Sequence, residues 1–396
     1  MRCAHFTLTP ADVHRHATDL FLSFLRIADH GPQCTAAVLL SLLFTAAAHT
    51  TSLFAVCCRF RNAPSHEAAR QALLATLPDP FQLQRRINQT LAALLHRKLR
   101  GRRHPLACDL TLIAYHGQPF RDIKEIYRGQ AKHGTSNFHA YATLYLIRKG
   151  QRFTIAMTTV HNGEPIERVL QYLLRQAARA GIRPSYVLLD RGFYNTAVIR
   201  YLQAARIPFL MPVVCRGRNK TSGSKVFRTW KRSGFSQYTL TAKRGKTRAT
   251  VRIAVFCQNQ KGRRGKHGRK ALVYAFWGMQ PKSCRWLAET YQRRFAIETT
   301  YRQMNQGRVR TSTRNPLLRL LFVGIALVLR NVWVWLHYRV LAKRQPGGRA
   351  QCLARMRFRT LLNWLQDVAA ACFGHHDAIE TDYPLAQYFK KNRASA

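Results

Sequence analysis

The sequence predicts an α/β fold, a mixed sheet flanked by helices, with a β-rich insertion and an N-terminal helical region. Residues 1–100 read as helices. After the basic run HRKLRGRRH (96–104), apolar strands alternate with amphipathic helices. Residues 213–270 then interrupt that order with short β-like pieces and basic turns. The 396 residues suffice for one large domain or two to three smaller ones with real cores. Apolar content of 47% and aromatic content of 11% fit a folded chain. The expected division is a helical region at 1–100, an α/β domain at 101–340 containing the insertion, and a C-terminal helical region at 341–396.

Taken in order, Thr9-Pro10 or Asp12 opens a first helix, and LFLSFLRIA supplies its apolar face. Residues 50–78 read as two short helices around a turn: Pro64 breaks the first and Ser65 is placed to N-cap the second. A helix-turn-helix that touches DNA and a plain helical hairpin both fit this stretch. LACDLTLIAYHG (106–117) reads as a strand, and residues 137–160 as a hairpin turning at Arg148-Lys149-Gly150. EPIERVLQYLLRQAARAG (164–181) is a helix, with Pro165 at its start, Gly181 just past its end and Ile166, Val169, Leu170, Leu173 and Leu174 on one face. A strand YVLLD (186–190), a helix at about 195–205 and a strand PFLMPVV (208–214) follow. Three antiparallel strands and two more reached through helical crossovers make a mixed sheet. KVFRTW, SQYTLTAK and RATVRIAVFC are the β-like pieces of the insertion, and ALVYAFWG (271–278) returns to the sheet. One long helix at about 283–306, an apolar helix at 315–340 and a last helix at 350–372 complete the chain.

Charge narrows the function. There are 65 Lys plus Arg against 17 Asp plus Glu, a net charge of +48 and a pI near 11.3. Self-repulsion of that size calls for a polyanionic partner. Nucleic acid fits best, because Lys and Arg neutralise phosphates and release counterions; an anionic membrane surface is the alternative. No acid occurs between Asp190 and Glu289, so that basic tract should face phosphate, with Lys261, Arg263, Arg264 and Lys266 in its densest turn. Trp230 is the aromatic best placed in that tract to stack on an unpaired base. Residues 35–58 and 317–338 are apolar, but Arg319 and Arg330 interrupt the second, and an arginine at mid-membrane costs roughly 2.5–3.5 kcal/mol on insertion scales. Both read as buried helices, with no membrane partner. Ten cysteines without a CxxC pair fit a reducing cytosol.

The scarce acids carry the chemistry. Glu164 and Glu167 sit in a first helical turn, where the macrodipole favours them. Asp122 and Glu125 lie in a polar connection. Asp109 within an apolar strand, Asp190 at the end of another, and Glu298 are less easily dismissed. In YQRRFAIETTYRQMN, residues Tyr291, Arg294, Glu298, Arg302 and Asn305 fall on one continuous helix within an arc of roughly 80° at about 100° per residue. A solvated face and a metal site ringed by phosphate contacts are both compatible with that stripe.

Over roughly residues 100–335 the chain resembles the DDE transposases of insertion sequences, in the branch with a Tyr-Arg-Glu-Lys signature and a ribonuclease-H-like catalytic domain. Asp190-Arg191-Gly192-Phe193 matches the setting of the family's second acid, DLTLIAYHG the strand of the first, Asp109, and Tyr291, Arg294 and Glu298 the third motif. The signature lysine position is Asn305, where Arg302 or Arg308 is the substitute. The resemblance implies that Asp109, Asp190 and Glu298 are catalytic and hold two Mg²⁺ ions, with Mn²⁺ as a substitute. It implies strand cleavage at element ends and transfer of the 3′-hydroxyl to target DNA. Tyr291, Arg294, Arg302, Asn305 and Arg191 would then contact DNA. The partner would be double-stranded DNA, held by a homodimer, in the prokaryotic cytoplasm at the nucleoid. Two other readings stay open: a catalytically inactive DNA-binding descendant, which Asn305 keeps alive, and a metal-dependent nuclease without strand transfer.

Overall fold

A computed structural model describes residues 7–148, 152–219, 222–242, 247–259, 268–345, 348–350 and 353–376. Five helices open the chain: α1 (Pro10–Leu25), α2 (Ala36–His49), α3 (Leu53–Cys57), α4 (His66–Thr76) and α5 (Pro80–Ala93). Thr9 caps α1 in a reciprocal capping box with Asp12, and Pro10 takes the first turn, where its missing N–H costs nothing. Ser65 caps α4 by accepting from the Ala68 N–H, as its position after Pro64 suggests.

The strands of the main sheet are β1 (Arg103–Ala114), β2 (Tyr127–Lys132), β3 (Thr135–Leu146), β4 (Thr154–Val160), β5 (Arg183–Leu189), β6 (Phe209–Pro212), β7 (Gly234–Thr241), β8 (Arg248–Asn259) and β9 (Arg269–Trp277); a separate two-stranded hairpin pairs Lys343–Gln345 with Gly348–Ala350. They form one nine-stranded sheet in the order β2-β3-β1-β5-β6-β9-β8-β7, with β4 also on β3. Helices α6 (Ile166–Arg179) and α7 (Thr196–Ala204) are the crossovers that make β5 parallel to β1 and β6 parallel to β5. The rest pair antiparallel.

Four expectations need correction. The polar connection around Asp122 and Glu125 gives way at Tyr127 to strand β2, which pairs with β3 through a turn in which His133 (φ 53°) and Gly134 (φ 75°) both take the left-handed conformation that a tight hairpin demands. The piece KVFRTW is not β: Gly223–Thr229 is a 3₁₀ helix. Strands β7 and β8 do not interrupt the sheet but extend it past β9, because β8 alternates buried and exposed side chains in the pattern of a half-covered sheet. The long helix at 283–306 is two helices, α8 (Cys284–Gln292) and α9 (Ala296–Gln306), separated by a 3₁₀ turn at Arg293–Phe295. The turn at Lys149-Gly150 and the basic turn holding Lys261, Arg263, Arg264 and Lys266 lie outside the described residues.

Helix α10 (Pro316–Leu336) is the apolar segment with the two arginines. It is long and apolar enough to cross a membrane, yet 94% of its most apolar window is buried within the fold. Arg330 is enclosed there, donating to the Arg152 carbonyl and the Tyr145 hydroxyl. Gly324 lets α10 approach α5 closely; a Cβ there would lie 2.5 Å from the Ile87 Cδ1. α11 (Phe358–Phe373) then packs back on α2 and α1.

The free edge of β4 shows how the helices hold the sheet. An edge strand presents unpaired N–H and C=O groups, which burial makes costly. Here amide side chains pair with them. Asn88 of α5 accepts from the Met157 N–H (2.8 Å) and donates to its carbonyl (3.0 Å). Asn331 of α10 does the same at Thr154 (3.0 and 2.7 Å), and Gln84 accepts from the Thr159 N–H (2.8 Å). All three amides are buried. Asn88→Ala leaves two backbone groups of Met157 unpaired at about 1–3 kcal/mol each. It should lower the melting temperature clearly in a thermal scan, whereas the exposed Gln82→Ala should leave it within a degree or two.

Candidate active site

The parallel pairing of β1 with β5 sets the site. Cys108 is in register with Leu189, so the next residues up the two strands are Asp109 and Asp190. Strand β5 ends there while β1 continues, which puts Asp190 at the carboxyl end of a parallel strand, where open α/β sheets form their clefts. Asp190 leads into the 3₁₀ turn Arg191–Phe193 without capping it, and Phe193 is buried beneath the turn as its anchor. The carboxylate is therefore not consumed by the local backbone.

Alternation along the strands gives Asp109 and Asp190 the same sheet face as Ala107 and Leu188, the face packed by Leu287, Ala288, Tyr291 and Ile297 of α8 and α9. From the turn between those helices comes Arg294. Its Nη1 donates to Asp109 Oδ2 at 2.8 Å, and its Nη2 lies 3.2 Å from Asp190 Oδ1. The Arg294 side chain is 8% exposed, that of Asp109 15% and that of Asp190 43%. Asp109 is further fixed by the Leu110 N–H on its Oδ1 and by the Tyr301 hydroxyl, which donates to its backbone carbonyl and meets the Thr143 hydroxyl. Burial pushes the Asp109 carboxyl up to about 6; Arg294 pulls it back and the charge of Asp190 adds to the rise.

The other expected residues divide. Glu298 is exposed in the first turn of α9. Among the described residues, no three His, Cys, Asp or Glu side chains are grouped as a metal cage, so Glu298 stands outside the carboxylate pair. Tyr291 is on α8, not on a shared stripe with Glu298. It is buried against Tyr274, with the Arg294 guanidinium 5.5 Å from its ring centre, and so backs Arg294 rather than offering itself to a phosphate. Arg302 and Asn305 line a separate groove of about 400 Å³ with Thr50, Gln306 and Arg359, where α9 meets the N-terminal helices. Arg191 is exposed at the rim beside Asp190. Trp230 is half-buried edge-on to Phe227.

Sequence reasoning missed Tyr301 and Phe295. The spacing Ile297, Thr300, Tyr301, Met304 marks the inner face of α9 and was the available signal for the first. Phe295, 48% exposed beside Arg294, owes its position to the helix break and had none.

The carboxylate pair suits a hard divalent cation: two oxygen donors stand side by side, one of them largely open, and such ions bind through one or two carboxylates plus substrate phosphates. Without an ion, Arg294 supplies the balancing charge. The Asp109 side-chain carbon should titrate near pH 6 in an NMR experiment, and Arg294→Met should move that midpoint upward, since Arg294 is the main influence holding it down. The linkage sign follows. The folded value exceeds the unfolded one near 3.9, so the contribution of Asp109 to stability is complete below about pH 4 and lost as pH rises through about 6.

Comparison with known proteins agrees with this geometry. Residues 101–331 match the family model of the transposase DDE domain. The cryo-EM structure of the piggyBac transposase synaptic complex with hairpin DNA is similar in fold, with a TM-score of 0.55 at 11% identity, covering 100% of this chain and 86% of that one. No curated protein sequence matches. The expected ribonuclease-H-like sheet is thus borne out, its core being the five strands β4-β3-β1-β5-β6. With the family model spanning more than half its length, the chain belongs to the transposase DDE domain family.

Proposed function

We propose that this protein is a DNA transposase that cuts strands at the ends of its element and transfers the 3′-hydroxyl to target DNA. One observation carries the reading: Asp109 and Asp190 stand together at the carboxyl end of adjacent parallel strands, held by one buried arginine. The net charge of +48 supports duplex DNA as partner, as does the synaptic DNA complex of the transposase with the similar fold. We assign a homodimer to the DNA complex and the cytoplasm as its place of action.

In this reading Asp109 and Asp190 hold Mg²⁺, or Mn²⁺ in its place, and Glu298 joins them when DNA is bound. Bound there, two such ions would supply Lewis-acid activation of an attacking oxygen and stabilisation of the leaving one at phosphorus. The chain contributes position. Asp109 is immobilised by Arg294, Leu110 and Tyr301, so one ligand is preorganised while the more exposed Asp190 can follow the substrate. Arg294, which balances both carboxylates, would share that charge with any cation held there and orient the pair toward a phosphate. Arg302 and Asn305, in their own groove, meet a different part of the strand.

The test uses duplexes carrying the inverted repeats that flank the gene, incubated with Mg²⁺. Wild-type protein should yield cut and joined strands. Asp109→Asn and Asp190→Asn should each lower cleavage by on the order of a thousandfold or more while leaving DNA retention in gel shifts intact. Glu298→Gln should match them. Cleavage at the wild-type rate in Glu298→Gln would remove that residue from the site; cut but never joined strands would make the protein a nuclease, and no product at all a DNA-binding descendant.

A further inference from the structure

A second cluster lies on the sheet face that carries Asp109. Asp109 pairs with Thr143, Thr111 with Tyr141, and Ile113 with His139, so these six side chains form one row along β1 and β3. At its far end a small pocket is lined by His139, Tyr141, Arg308, Thr311 and Arg319 among apolar neighbours. Two arginines face the pocket and neither has a carboxylate within ion-pair distance among the described residues. Arg319 is buried, donates from Nε to the Thr313 carbonyl (2.7 Å) and lies 4.6 Å from the Tyr115 ring centre. Among the described residues, Arg308 donates only a long 3.4 Å bond from Nε to Asn305 Oδ1. Independently, His139 is 5% exposed, and its Nε2 is buried without a hydrogen-bond partner.

Cations taken out of water need compensation, and a buried ring nitrogen needs a partner. The same absent group would satisfy all three. The cavity, about 10 Å³, has room for one water-sized atom, too little to enclose a whole phosphate. We propose that this pocket takes a non-bridging oxygen of a DNA backbone phosphate, presented to Arg308, Arg319 and His139. Ile113 lies four residue steps along β1 from Asp109, about 13 Å at roughly 3.3 Å per step. The phosphate read here is therefore not the one cut at Asp109 but another of the bound DNA. The inference rests on the transposase reading and adds an anchor that sets where along the DNA the cut falls.

The experiment measures binding of the full chain to a random-sequence duplex against salt concentration, and follows the His139 ring resonances by NMR. In wild-type protein, DNA should shift the His139 resonances. Arg308→Gln should lower the slope of log K against log salt by roughly 0.9, one phosphate contact, and abolish the shift; Arg308→Lys should keep the slope. DNA bound with unmoved His139 resonances in wild-type protein, or an unchanged slope in Arg308→Gln, overturns the pocket and leaves the transposase reading intact. A wild-type chain that binds no DNA at low salt sinks both. Inorganic phosphate moving the His139 resonances as far as DNA does would also overturn it, making this a free-phosphate site. Should Arg308→Gln fail to fold, the wild-type resonances decide.

Discussion

The contact on which the site depends is the fork of Arg294 across Asp109 and Asp190. Two carboxylates brought together by strand register repel, and burial adds a desolvation cost to the more enclosed one. Without a cation between them the sheet would carry a local conflict at its most constrained point. An arginine resolves this where a lysine would not, because its planar fork addresses two acceptors at once and it stays charged when buried. Removing one partner of such a buried pair typically costs ~3–5 kcal/mol, so the fork also pins the turn between α8 and α9 to the sheet. The same contact joins sheet to helices: the two carboxylates that strand register brings together share one guanidinium from the turn between α8 and α9.

Position follows from the sheet. Parallel pairing of β1 with β5 fixes the spacing of the two acids, and α9 is laid over β1 and β3 by Tyr301 on Thr143 and by Thr300 on Tyr145. Tyr145 also receives Arg330 from α10, so a chain of buried polar contacts runs from the core helix through β3 to the helix bearing Glu298. Beyond β6 the sheet continues through β9, β8 and β7, which makes the basic β-rich segment an extension of the sheet that carries Asp109 and Asp190.

Much of this was legible in the sequence because it rests on short-range rules. Capping at Thr9 and Ser65, the alternation of β8 and the crossover helices α6 and α7 are all local signals. Asp109 and Asp190 could be picked out because acids are rare in this chain and both interrupt apolar strands. The break at Arg293–Phe295 could not. YQRRFAIETT has no proline or glycine, and its residues suit a helix; the chain leaves α-geometry where Arg294 must reach the sheet, a tertiary demand that no helical period encodes. The arc drawn through Tyr291, Arg294 and Glu298 was sound for one helix and failed for two. Strand β2 was lost for a simpler reason: its exposed, polar residues carry no hydrophobic period, and only the His133-Gly134 turn marks it.

The amide side chains along β4 bear on how this protein can change over generations. Asn88, Asn331 and Gln84 engage mainly the backbone of the strand, which every amino acid other than proline supplies alike. The strand's own sequence is thus free to drift within the limits of packing, while the three amides on α5 and α10 are held fixed. The reverse holds for exchange of parts: one end of each pairing lies in the N-terminal helices or in α10, so a lineage cannot trade its N-terminal segment for an unrelated one without stripping the edge of the sheet that carries Asp109 and Asp190. Exchange of whole modules therefore carries a cost at this edge that point substitution on the same helices avoids.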